Sequence, residues 1–101
     1  MEPEKWNNFS IFKQLGNIAS EISRAEYWEE SGSLVEKNNS LERSLDLIDL
    51  TIISNKENNR LKELLYLREA VADIFAGTKN YQITLGDLIA VLMPFAFKAR
   101  D

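Results

Sequence analysis

Apolar side chains recur along the first third of the chain at Ile11, Leu15, Ile18, Ile22 and Ala25. Their spacing alternates between four and three residues, which lines them along one stripe of an α-helix. The pattern predicts a helix over residues 8–30, capped by Asn7 or Asn8 and stopped by Ser31-Gly32. Pro3 allows an earlier turn that takes in Trp6. Gly16, inside the predicted helix, costs it about 1 kcal/mol relative to alanine. Such a glycine is either merely tolerated or marks a close approach by another helix.

Ser33-Leu34-Val35-Glu36 has the form of a capping box, in which serine and glutamate satisfy each other's free backbone N–H groups. A second helix over 34–53 follows, with Leu34, Leu41, Leu45, Ile48 and Ile52 as its stripe and Asn38 at a position where that stripe wants an apolar residue. Asn38-Asn39-Ser40 leaves open a break with a restart near Leu41. Leu47 and Leu50 point almost opposite the stripe at 100° per residue, so this helix has two apolar sides and needs two neighbours.

The polar run Asn55–Asn59 is a turn, with Asn58 or Asn59 as the cap of a third helix over 59–76 and Gly77 as its left-handed end. Leu61, Leu64, Leu65, Val71, Ala72, Ile74 and Phe75 cover nearly half of that helix, with Leu67 at the margin and Arg68 near the middle of the face. After a connector at 78–83, extended around Tyr81–Ile83, Thr84 and Asp87 form a second capping box and open a fourth helix over 85–97. Pro94 is expected to kink or shorten it near Met93. The ten residues Leu88–Phe97 carry no charge. A bilayer needs about 20 such residues, so this segment is expected to be buried against the other helices or against a second chain.

These elements give an all-α fold, a small up-and-down bundle of about four helices in a single domain over residues 1–101. Composition agrees: 45% hydrophobic and 28% charged residues suit a folded core, and only four glycines and two prolines favour helix. What composition changes is the chemistry. The chain has no cysteine and no histidine, which closes off disulfide frameworks, thiolate metal sites, Ser-His-Asp and Cys-His nucleophiles and the usual zinc hydrolase sites. Small HEPN-type bundles resemble the expected architecture in outline, but their RNA-cutting branches place a histidine shortly after an arginine, and that residue is missing here. No catalytic residue, cofactor or metal is expected.

Net charge is −4, which does not suit a broad nucleic-acid or membrane footprint. Lys56, Arg60 and Lys62 make the only basic cluster, interleaved with Glu57 and Glu63, and no aromatic stacking platform is expected beside it. The start, MEPEKWNN, lacks a basic-then-apolar leader, so a cytoplasmic protein is expected. Arg68 among leucines must snorkel or pair with a carboxylate, and Asp49 and Glu21, at the edges of their own stripes, are its candidate partners in a buried ion pair or an anion anchor. Trp6, Trp28, Phe95 and Phe97, with Leu47 and Leu50, are the interface candidates. The expected function is non-catalytic association with other protein, most simply as a homo-oligomer. The alternatives are a non-catalytic nucleic-acid or toxin–antitoxin type partner and a small anionic ligand held between helices.

Overall fold

In the computed structural model, which describes residues 2–57, 59–78 and 80–98, the chain forms α1 (Pro3–Asn7), α2 (Ile11–Ser31), α3 (Leu34–Ser54), α4 (Leu61–Ala76) and α5 (Leu85–Lys98). The first long helix is capped by Ser10, whose Oγ accepts the Lys13 N–H at 3.1 Å, so it starts later than an Asn7 or Asn8 cap would place it. The residues before it wind a separate turn, with Pro3 in its opening position where a missing N–H costs nothing. Gly32 and Gly77 end α2 and α4 at φ 83° and 73°, left-handed values that glycine adopts without strain.

Ser33 Oγ accepts the Glu36 N–H at 3.5 Å, and the Thr84–Asp87 box is reciprocal at 3.1 and 3.0 Å. Through Asn38-Asn39-Ser40, α3 runs unbroken. Ser40 and Ser44 sit fully buried there: Ser44 Oγ donates to the Leu41 carbonyl at 2.7 Å, and Ser40 Oγ accepts from Arg43. Arg60 occupies the cap position of α4, where its side chain does not cap the helix, and the candidate cap Asn58 lies outside the described residues. The final helix passes through Pro94 to Lys98 rather than ending near Met93. Ala90, whose carbonyl loses its helical donor to the proline ring, is exposed, as is Pro94, so water can replace the missing bond. Around Tyr81–Ile83 the connector is not a strand, and Gln82 takes a left-handed φ of 53°.

The long helices are antiparallel neighbours. Against α3, Glu21 and Glu29 of α2 meet Arg43 and Lys37; against α5, Gly16 lies beside Ala96 and Glu26 beside Gly86. Besides α2, α3 packs on α4 and on the short α1. Leu15, Ile18, Ile22 and Ala25 of α2, Leu41 and Ile48 of α3, Leu64 and Val71 of α4 and Leu85, Leu88 and Leu92 of α5 make one core. The buried side of α4 is rotated from the face its sequence suggests: Leu67 and Ala70 turn inward while Leu65 and Phe75 stay 46% and 40% exposed. Among the described residues, no helix is long and apolar enough to cross a membrane.

Trp6 is the main correction to the interface candidates. It is 1% exposed, because its direction is set by its own helix and not by the period of α2. Its indole N–H donates to Thr51 Oγ1 at 2.9 Å, and Gln14 Nε2 donates to its carbonyl at 2.7 Å. Asn55 Nδ2 lies 3.0 Å from Gln14 Oε1, and Ser54 Oγ donates to Asn7 Oδ1 at 2.5 Å, so polar side chains from three helices fasten α1 over the end of the bundle.

Candidate interaction face

Four antiparallel helices in a ring have four seams, and here the α4–α5 seam is the loosest. Its walls are Leu64 and Leu67 from α4 and Val91, Leu92 and Phe95 from α5, with Leu15 of α2 beneath and Arg60 and Glu63 at one end. The cavity between them measures about 210 Å³, and its surface is overwhelmingly hydrocarbon.

Beside this seam lies the outer side of α5. Only Leu88 and Leu92 of the uncharged segment Leu88–Phe97 are buried; Ile89, Phe95 and Ala96 are half-buried, and Ala90, Val91, Met93, Pro94 and Phe97 face solvent. Val91 is 64% and Phe97 63% exposed. The expectation that this segment would be covered by the other helices therefore holds for its inner side alone. A helix in water normally carries charges on its outward side, as α2 and α3 do with Arg24, Glu30, Glu42 and Asp46. An uninterrupted uncharged strip is what a partner surface needs.

At the end of the seam Arg60, one residue of the basic cluster, meets aromatic rings from distant positions, contrary to the expectation from sequence. Phe12 of α2 stacks on Phe95 of α5 with centroids 6.1 Å apart, and the Arg60 guanidinium lies 5.0 Å from the Phe95 ring and 5.9 Å from that of Phe12. Lys98 approaches Phe12 at 5.6 Å, and Lys13 covers Phe9 at 4.3 Å. These contacts join three helices, so only their tertiary placement reveals them. Arg60 also sits 3.8 Å from Glu63. The rings are covered by cations of their own chain, which makes the cluster a clasp at the mouth of the seam. Phe95 is thus a wall of the groove, whereas Phe97 is free on the surface.

The other candidates do not gather with this face. Leu47 is half-buried and packs against the core, and Leu50 is half-buried on α3. Trp28 is half-buried and meets the exposed Tyr27 edge-on at 4.9 Å. Arg68 pairs with Asp49 through Nε and Nη2 at 2.7 and 3.4 Å, but the two side chains remain 42% and 47% exposed. Asp49 raises the already high Arg68 pKa, chiefly through that hydrogen bond. Glu21 does not join them; buried between α2 and α3, it takes Arg24 and Arg43 at 2.5 and 2.6 Å. The ion pair is therefore one at the surface, and Arg68→Ala should lower stability by about 1 kcal/mol or less rather than the several that a stranded buried charge would cost. Urea unfolding of the variant measures it directly.

Asp73 is a residue that the periodicity of α4 hides. An acid near a helix C-terminus opposes the helix dipole, and that misfit is the one local sign that it has another task. Its carboxylate accepts the Thr78 hydroxyl and the backbone N–H groups of Asn80 and Tyr81, at 3.0 and 3.2 Å for the last two. One turn earlier, Glu69 takes the Tyr81 hydroxyl at 3.0 Å. The Thr78 bond, followed by the two backbone donors, holds the Asp73 pKa below the ordinary value, and Glu69 holds the Tyr81 phenol above its own. A depressed carboxylate pKa stabilises the fold at pH values above the unfolded value of about 3.9 and ceases to do so as pH falls through the folded one. Asp73→Asn should therefore lower the melting temperature near neutrality and flatten its decline below pH 4, seen in melts taken from pH 7 to pH 2.

The opposite end of the bundle has a second hollow of about 370 Å³, bounded by Glu29, Lys37, Ile74, Ile83 and Leu85. Lys37 and Glu29 close on each other there at 2.5 Å. Among the described residues, no three Asp or Glu side chains converge where they could hold a metal ion. Comparison with protein-family models, curated proteins and solved structures finds no match to this chain.

Proposed function

We propose that this chain is a non-catalytic association module that works through the α5 side of its bundle, and that it forms a homo-oligomer. The carrying observation is the exposed uncharged side of α5, Ala90, Val91, Met93, Pro94 and Phe97, beside the open, apolar α4–α5 seam. Burying such a strip against protein removes hydrocarbon from water at about 25 cal/mol per Å², and leaves no charge unpaired. The two other readings lack comparable support. Arg68 is committed to Asp49, which weakens it as an anion anchor, and the rings near Arg60 are occupied by the chain's own cations, which weakens a base-stacking platform. Light scattering across a wide range of protein concentration tests the proposal. The expected result is a dimer or larger species that Val91→Glu converts to monomer without loss of helical circular dichroism; a wild-type chain that stays monomeric throughout would overturn it.

A further inference from the structure

The exposed residues of α5 also specify how a second copy would sit. Asp87, Val91, Pro94 and Lys98 are all exposed and are spaced four, three and four residues apart, which places them in one line along the helix. The spacing reads the same in both directions: an anion and a cation at the ends, two uncharged residues between. Reversing the helix about the midpoint between Leu92 and Met93 puts Asp87 where Lys98 was and Val91 where Pro94 was.

We propose that two copies pair through antiparallel α5 helices about a two-fold axis, with Asp87 of each copy facing Lys98 of the other and Val91 facing Pro94. A two-fold interface requires a surface complementary to itself. Most helix faces fail that condition because reversal sets like charge against like, whereas this line has one charge of each sign, at mirror positions. A parallel pairing would oppose Asp87 to Asp87 and Lys98 to Lys98. The helix dipoles favour the same choice, since antiparallel packing sets the positive start of one helix against the negative end of the next. Lys98 reaches the contact from the last turn of α5, where it hangs over Phe12 with its ammonium 5.6 Å from the ring centroid. Asp87 is held in place by its own box, Oδ2 accepting the Thr84 N–H.

This pairing rests on the association reading above and adds a register to it, so the test separates the two. Because the chain has no cysteine, Val91→Cys and Pro94→Cys proteins can each be oxidised alone and as a mixture. The register predicts disulfide dimers mainly in the mixture, since position 91 faces 94 and not itself. A second arm reads charge by dimer dissociation constant. Lys98→Glu should weaken dimerisation about tenfold, the pair occurring twice per dimer. Asp87→Asn should weaken the wild-type dimer about threefold yet tighten the Lys98→Glu dimer, because there it removes a repulsion. Loss of the Thr84 capping bond would act in the same direction in both backgrounds, so the change of sign reports the contact across the interface. A dimer that Val91→Glu dissociates, but that crosslinks equally well in the single proteins and shows no change of sign, would overturn the register and leave the α5 face standing. A wild-type monomer at all concentrations would overturn both.

Discussion

Trp6→Ala should destabilise the protein by about 3–5 kcal/mol, the range for emptying a buried indole site. That is a large part of the roughly 5–15 kcal/mol by which a domain of this size is held folded. The residue is 1% exposed, and its ring meets Phe9 edge-on with centroids 5.7 Å apart. Its N–H and carbonyl connect to Thr51 and Gln14. Truncation would leave a cavity under α1 and take the indole donor from Thr51, while Gln14, 2% exposed and also bonded to Asn55, keeps the backbone carbonyl of residue 6 as its acceptor. Trp6→Phe keeps much of the volume and removes only the indole donor. Thr51 Oγ1 still donates to the Leu47 carbonyl at 2.8 Å, so the milder change should cost closer to about 1–2 kcal/mol. Urea unfolding followed by far-ultraviolet circular dichroism measures both, with Trp28 remaining as an independent fluorophore. If Trp6→Ala cost less than 1 kcal/mol, α1 would not be fastened to the bundle and Trp6 would return to the surface candidates.

The difference between Trp6 and the stripe of α2 shows where sequence reading works and where it stops. Ile18 and Ile22 are legible because one helix with a 3.6-residue period carries both of them to the core, and a period is a local property. Helix ends are equally local: Gly32, Gly77 and the Thr84–Asp87 box mark theirs through backbone chemistry within four residues. Arg68 lies beyond that reach. A face of seven apolar residues cannot say which half of itself will be buried, and the placement of α4 on α3 turned Leu64 and Val71 inward while leaving Leu65, Arg68 and Phe75 toward solvent. Asp49 lay within range of the guanidinium, whereas Glu21 was drawn to Arg43 on the adjacent helix.

The candidate face divides in the same way. That residues 88–97 are uncharged is plain from the sequence. That half of them remain in water follows only once α2 has taken the Leu88–Leu92 side and the α4–α5 seam has stayed open. The clasp of Arg60, Phe12 and Phe95 joins residues from positions 12 to 95, a separation that no local motif spans.

Gly16 decides how α5 is seated, and its two simplest substitutions should have opposite signs. A Cβ at this position would lie 3.5 Å from the Ala96 Cα and 3.7 Å from its Cβ, ordinary contact distances with no overlap. Gly16→Ala should therefore stabilise the protein by about 0.5–1 kcal/mol, because the helix no longer has to restrain a glycine and the methyl group finds a neighbour. Gly16→Leu carries three further carbons toward the backbone of α5, which cannot yield as a flexible side chain would, and should destabilise by about 1–3 kcal/mol. Urea midpoints at constant m-value distinguish the two. The pair of results is more informative than either alone. If both variants destabilise, the Ala96 backbone comes closer than 3.5 Å to the place of the added Cβ and the glycine is a packing requirement. If both stabilise, α5 is not pressed against α2 at Ala96, the α2–α5 contact does not hold the outer strip in place, and the geometry of any α5 pairing must be set by the partner helix instead.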